Sequence, residues 1–452
     1  MTLRIISVLT IIAVLFASGF GAKSQLFVSV KGHRLYRDNN PYYFIGANYW
    51  YGGLLGLEKD KKRGAERLRR ELDFLKANGV TNLRLMAGAE GSGQIDGVTR
   101  VGPPLQPEQG KFDESVLDGL DLVLSEMGKR KMTAVIFLSN NWEWSGGFQQ
   151  YLIWNNVISD KWLTQKPSWD ELRDNVAQFY SCKACKDSYN DQVKFVLKRK
   201  NRYNGTRYVD DPTIMAWELA NEPRPMRPSA VDDYRHWIAD SAAMIRGLDK
   251  DHLITIGHEG WIGTQDIALY ETVNADKNLD YLTIHIWPKN WGWFAGGKMA
   301  ADYPNIVRET DKYITENLRI AEKLDKPLVI EEFGLPRDGQ SFDPAAAVST
   351  RNLYYQKIYS YLGGQPNGSD AIAGANFWAF GGAARPIPGQ IFWKAGDELM
   401  GDPPMEEQGL NSVFDRDTTT WQIVKAANQT ISRRFGKINK SGSLGKIGTS
   451  PQ

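Results

Sequence analysis

One short stretch limits what this chain can fold into more than any other. Residues 214–225 read I-M-A-W-E-L-A-N-E-P-R-P, an apolar run that stops abruptly at Asn221, Glu222 and Pro223. Its first six residues have the length and composition of a strand buried on both faces of a sheet. Pro223 has no N–H to give a ladder, so the strand is predicted to stop at Glu222 and leave a carboxyl at its C-terminal tip. Residues 327–334, P-L-V-I-E-E-F-G, follow the same grammar: buried-strand residues run into Glu331 and Glu332, and Phe333-Gly334 closes them off. Two inner strands ending in Glu, about 110 residues apart, suit paired-carboxylate chemistry if the fold brings the tips together.

The rest of the chain reads as a frame that does so. Strand patterns lie at 43–48, 82–86, 133–138, 214–219, 253–256, 282–286, 327–331 and 373–377. Helical patterns alternate with them at 65–77, 116–129, 189–199, 231–248, 306–324, 347–362 and 421–435, with a weaker one after the fifth strand. In the first helix Leu68, Leu72 and Leu75 share one face, and Asn78-Gly79 supplies the stop. A long Trp-rich loop follows the third strand, and a small hairpin over 26–42, turning at residues 38–41, precedes the series. Eight strand–helix units predict an α/β fold of (β/α)₈ barrel type, a single catalytic domain spanning 25–436. The alternative, a doubly wound open sheet, calls for a Gly-rich phosphate turn that the sequence lacks. In a barrel, active sites lie at the C-terminal ends of the strands. Glu222 and Glu332, ending strands four and seven, would then share one mouth.

Composition narrows the class of ligand. With 55 basic and 53 acidic residues among 452, the charge balance gives no reason to expect nucleic acid as a partner. Fifteen Trp and nineteen Tyr are a heavy aromatic load, and many sit in polar or Gly-rich loops, where rings suit the flat apolar faces of sugars. Residues 1–24 read as a signal peptide: Arg4, an apolar stretch over 5–16, and small residues around Ala22 and Ser24 where cleavage occurs. The apolar segment is too short for a comfortable span, and no Cys follows to carry a lipid, so no membrane anchor is expected. A secreted or periplasmic protein is implied. Cys182 and Cys185 are the only cysteines. A C-x-x-C pair fits a redox motif or half a zinc site, but no second pair completes a metal set, and an oxidising compartment favours a local disulfide. Residues 437–452, rich in Gly, Ser and Lys, read as a flexible tail.

Two carboxylates at one mouth point to glycosidic-bond hydrolysis: one acid protonates the departing oxygen and the other stabilises or attacks the sugar cation. Whether configuration is retained depends on a separation that sequence spacing does not supply. The carrying motifs are Y-F-I-G-A-N-Y-W-Y (43–51), N-L-R-L (82–85), L-S-N-N-W-E-W-S-G-G (138–147) and D-P-T-I-M-A-W-E-L-A-N-E-P-R (211–224). L-T-I-H-I-W-P-K-N-W-G-W (282–293), P-L-V-I-E-E-F-G (327–334), A-N-F-W-A-F-G-G (375–382) and G-D-P-P-M-E-E-Q-G-L-N-S-V-F-D (401–415) follow. In this order they resemble glycoside hydrolase family 5 of clan A, and within it the bacterial endo-β-1,4-mannanases, over nearly the whole chain after the signal.

The resemblance implies a retaining enzyme that hydrolyses β-mannan and needs no cofactor or metal. It makes Glu222 the acid/base and Glu332 the nucleophile, with Arg84 supporting the nucleophile and holding it ionised. Asn221 falls where the family contacts a sugar 2-hydroxyl, His285 near the acid/base, and Trp378 under the scissile sugar. Trp287 departs from the Tyr that many relatives carry; an indole donates one N–H and cannot accept. Trp142, Trp291 and Trp293 are candidates for neighbouring subsites, and His258, in G-H-E-G-W, for a binding residue at another strand end. Glu331 is expected to point away from Glu332, since adjacent strand residues face opposite sides. Glu218 shares parity with Glu222 and reads as a buried structural carboxylate. A β-1,4-glucanase or an exo-β-mannosidase of the same clan would carry the same pair, and a non-catalytic carbohydrate-binding barrel would lack one of the two. Subsite number and oligomeric state are left open by the sequence.

Overall fold

The computed structural model describes residues 27–362 and 369–441, with side chains to Phe435. The expected signal segment, 1–24, lies outside the described residues. Eight parallel strands form one sheet: β1 Phe44–Asn48, β2 Asn82–Met86, β3 Thr133–Phe137, β4 Ile214–Glu218, β5 Leu253–Thr255, β6 Leu282–Ile286, β7 Leu328–Phe333 and β8 Ile372–Phe377. Their ladder order is β5-β4-β3-β2-β1-β8-β7-β6. The seam between β5 and β6 is joined by Asp280 N–H to Ile254 O and His285 N–H to Glu259 O, both 2.9 Å. The sheet is therefore a closed (β/α)₈ barrel.

The helices are α1 Lys61–Ala77, α2 Glu114–Lys129, α3 Lys183–Leu197, α4 Val231–Leu248, α5 Ile267–Asn274, α6 Tyr303–Lys323, α7 Ser349–Ser360 and α8 Thr418–Ser441. α1 shows why they pack as they do. Leu68, Leu72 and Leu75 are fully buried on one face, and Asp60 accepts from Arg63 N–H to cap the start. α8 runs through Ser441, into the segment read as a tail; residues 442–452 lie outside the described residues.

Three local expectations differ. The N-terminal hairpin is a three-stranded antiparallel meander (Ser29–Lys31, Arg34–Arg37, Asn40–Pro41). Asp38 and Asn39 take positive φ (51° and 60°), so they alone make the turn and Asn40-Pro41 returns as an edge strand. The Trp-rich loop after β3 contains helices at Gly147–Trp154 and Trp169–Ala177, the second begun by a capping box of Ser168 and Glu171. β4 ends at Glu218 rather than Glu222. Beyond it Glu222 adopts φ +52°, a left-handed conformation rare outside glycine, with its N–H bonded to Gly257 O at 2.9 Å. Such strain at one residue needs support, and the Gly257 contact is part of it. A Cβ on Gly257 would lie 2.2 Å from both Ala220 O and Glu218 Oε1.

A bulge in β7 overturns the alternation expected there. Ile284 of β6 pairs with Ile330, but His285 pairs with Glu332, so Glu331 is the extra residue. Glu331 and Glu332 therefore both turn into the barrel, where both approach Arg84.

Candidate active site

Strands β2, β4 and β7 and the loops beyond the strands bring charged side chains to the barrel mouth. β2 contributes Arg84, enclosed completely, whose guanidinium fork binds Glu218 of β4 through Nε–Oε2 (2.8 Å) and Nη2–Oε1 (2.6 Å). The same group donates through Nη1 to Glu332 and to Asn48 Oδ1 (3.1 Å), and through Nη2 to Asn221 Oδ1 (2.7 Å). Every fork position is used, which fixes Arg84 and, through it, Glu332. Arg84 is thus walled off from the cleft and acts on carboxylates rather than on sugar. Arg84 is therefore not a sugar-contacting residue, and the contact with Glu332 expected of it is present. Glu218 is the buried structural partner that its parity suggested.

Glu222 lies opposite. His285 Nδ1 is 2.6 Å from its Oε1, and Trp142 Nε1 donates to its Oε2 at 2.6 Å. Trp287 Nε1 donates to Glu332 Oε2 at 3.2 Å, so the indole that departs from the expected tyrosine still reaches the carboxylate. One oxygen of Glu222, one of Glu332 and a ring nitrogen of His285 all lie within 4.8 Å of one another. Burial raises both carboxyl groups above the ordinary range, and Glu222 raises Glu332 further; Arg84 pulls both down, and Arg224 pulls Glu222 down. Two charges this close in a desolvated site do not coexist, so the pair holds one proton. A guanidinium touches Glu332, whereas burial pushes His285 down to about 4 and leaves a neutral imidazole against Glu222. The guanidinium contact favours the charge on Glu332, and the neutral imidazole favours the proton on Glu222.

Above the pair opens a cleft of about 860 Å³ lined by Trp142, Trp169, Trp287, Trp291 and Trp378, with Asn221, Glu222 and Glu332 in its floor. Trp378, at the end of β8, packs edge-on against Trp287 at 5.9 Å. Trp293 is set back from the cleft and braces Trp291 at 5.1 Å. His258 is not at the cleft. It is 1 % exposed and meets Tyr234 through Nε2, so the binding role expected for it is corrected. Burial holds it near 3, a neutral packing residue.

Its neighbour Glu259 lines the cleft instead, in a bidentate pair with Arg224 (Nη2–Oε1 2.6 Å). The Arg224 guanidinium also lies over the Trp142 ring at 5.0 Å and the Trp169 ring at 5.8 Å. Sequence reasoning passed over this cluster, though Arg224 stands two residues beyond Glu222 and Glu259 one beyond His258. It also gave no role to Glu406 and Glu407 of the 401–415 motif, which the loop after β8 brings to the rim, Glu407 paired with Lys289 at 2.8 Å. Burial and nearby Asp402 push Glu406 up to about 8. Cys182 and Cys185 form a disulfide at the start of α3.

A family profile described as "GH family 5 beta-mannosidase-like" matches residues 25–435. A glycoside hydrolase family 5 mannosidase from Rhizomucor miehei superposes with a TM-score of 0.80 at 31% identity, over 92% of this chain and 99% of that one. Mannan endo-1,4-beta-mannosidase 1 of Oryza sativa subsp. japonica is 29% identical over 417 residues, 88% of each chain. The endo-beta-1,4-mannanase of Thermotoga petrophila, at 21% identity and a TM-score of 0.61, shares the fold over 86% of this chain and 77% of its own.

Proposed function

The chain belongs to the β-mannosidase-like group of glycoside hydrolase family 5, and on that footing we propose that it is a secreted, retaining endo-β-1,4-mannanase. The observation that carries retention is the approach of Glu222 and Glu332 oxygens to within 4.8 Å. Retaining pairs stand about 5 Å apart, whereas inverting pairs leave room for a water at about 6.5–9.5 Å.

The geometry supports a division of labour. Glu332, ionised against Arg84, attacks the anomeric carbon while Glu222 gives its proton to the glycosidic oxygen, so the leaving sugar departs as an alcohol. That leaves an ester on Glu332 and a carboxylate on Glu222. Glu222 then takes a proton from water, whose oxygen attacks the same carbon, and Glu332 leaves as the carboxylate it was. Asn221, held by Arg84 and by Asn140 Oδ1 (3.1 Å), presents its amide to the sugar beside the reacting carbon. Trp378, with an indole N–H that no described residue accepts, offers a face and a donor at the scissile ring. Secretion is supported by the N-terminal sequence pattern and by the disulfide, since oxidising compartments preserve such bonds.

An exo-acting β-mannosidase is the second reading. The Lys289–Glu407 pair ties the loop after β6 to the loop after β8 at the cleft rim, the kind of bridge that closes one end of a groove. Mannohexaose digestion separates the two. Early release of mannobiose to mannotetraose supports endo action, and mannose with mannopentaose as the only early products overturns it. Inactivity on mannan, glucomannan and mannooligosaccharides alike would overturn both.

A further inference from the structure

Two buried carboxylates in the site, Glu218 and Glu331, take no direct part in the reaction outlined above. Glu218 is spoken for by Arg84. Glu331 is 1 % exposed, and neither of its oxygens has a hydrogen-bond partner among the described residues. Arg84 Nε lies 3.8 Å from Oε2 and His285 Nε2 3.6 Å from the same oxygen. His285 Nε2 has no closer partner either. The imidazole thus stands among three carboxyl groups, Glu222 on Nδ1 at 2.6 Å with Glu332 Oε2 3.3 Å from the same nitrogen, and Glu331 on Nε2. This placement exists because the β7 bulge turns Glu331 inward.

Resting on the reading of Glu222 as the acid/base, we propose that Glu331 is a positioning residue that keeps Glu222 protonated through His285. A neutral imidazole carries one proton. Burial and Glu218 raise the Glu331 carboxyl and Arg84 pulls it down; in its ionised form Glu331 draws the imidazole proton to Nε2, which leaves Nδ1 as a bare acceptor. A bare Nδ1 2.6 Å from Glu222 Oε1 is compatible with a protonated carboxyl donating to it, and repels a carboxylate. The acid therefore waits loaded until a leaving oxygen competes for its proton. Glu331 faces Arg84 of β2, Glu218 of β4, Tyr270 of α5 and Tyr281 just before β6. Glu222 in turn faces Arg224, Arg84, Glu259 and Glu332. Of these groups Glu331 alone meets the His285 ring at Nε2, while Glu332 Oε2 stands 3.3 Å from Nδ1.

The first test needs no substrate. In ¹⁵N-histidine-labelled protein at neutral pH, the His285 ring, assigned by its loss in His285→Gln, should be protonated at Nε2 and bare at Nδ1. A resting Nδ1–H tautomer overturns the proposal. The second test is the pH profile of Glu331→Gln. Loss of the charge should move the alkaline limb of kcat/KM on mannooligosaccharides down by about one pH unit. Activity on a nitrophenyl β-mannoside, whose leaving group needs no proton, should change far less. Glu331→Asp, which keeps the charge, should hold the limb near its wild-type position. An unmoved limb in Glu331→Gln, or an equal loss on both substrates, overturns the proposal. If Glu331→Gln does not fold, the wild-type tautomer decides. A wild-type protein inactive on every mannoside would defeat the functional reading instead, and the tautomer would still be measurable.

Discussion

Trp142 Nε1 donates to Glu222 Oε2 at 2.6 Å, so a ring from the loop after β3 is fastened to that carboxyl across the mouth of the barrel. The same ring stacks on Trp169 at 6.3 Å and carries the Arg224 guanidinium on its face. One side chain thereby couples the wall of the cleft to the protonation of the group in its floor. An N–H donor favours the charged carboxylate over the acid.

Trp142→Phe removes that donor and keeps most of the ring. Glu222 should then hold its proton to higher pH, moving the alkaline limb of kcat/KM up by about one pH unit. This is opposite in sign to Glu331→Gln. A pH–rate profile on mannooligosaccharides checks it, and a limb that moves down refutes the contact's assigned effect.

The two glutamates should separate by leaving group. Glu222→Ala should lose about a thousandfold on mannan, where the departing sugar needs a proton. It should still release a nitrophenol in a first step and then stall. Azide, which needs no base, should relieve the stall and yield a glycosyl azide of retained configuration. Glu332→Ala should be inactive on both substrates, with azide giving at most an inverted product. Exchanged behaviour would exchange the roles.

Glu218→Ala leaves the fully buried Arg84 fork with two unmatched donors. Breaking such a pair costs about 3–5 kcal/mol, and the freed guanidinium no longer holds Glu332 or Asn221 in place. Denaturant unfolding and kcat should both fall, with Glu218→Gln milder in each. A stability loss below about 1 kcal/mol would mean that the pair behaves like a surface ion pair.

The Cys182–Cys185 disulfide closes a very small loop at the start of α3, behind the barrel wall. Replacing both by Ser should cost at most about 2 kcal/mol of stability and leave kcat/KM on mannan unchanged. A folded double variant that lost most of its rate would show a role in the site.

Much of this was legible before any coordinates. Periodicity located all eight strands, and β2 and β6 to the residue, because inner barrel strands must be apolar on both faces. Glu222 and Glu332 were found as strand-end carboxylates, and Arg84, Asn221, Trp287 and Trp378 from the motifs around them. The errors share a cause. His258 follows a strand as Glu222 does, yet its ring turns behind the barrel wall onto Tyr234 while Glu259 takes the cleft.

The chain by itself determined the order of elements, the barrel they close into and the residue types at the strand tips, since those follow from local patterns of period two and 3.6. The tertiary structure decided which tips meet and how they are charged. Glu331 shows why. Alternation sends it away from the site, and a one-residue bulge against β6, set by how two strands 40-odd positions apart pair, turns it in beside His285. Proton ownership between Glu222 and Glu332 likewise depends on a guanidinium from β2 and an imidazole from β6 arriving on different members of the pair. Electrostatics falls off with distance through space, and distance along the chain does not measure it.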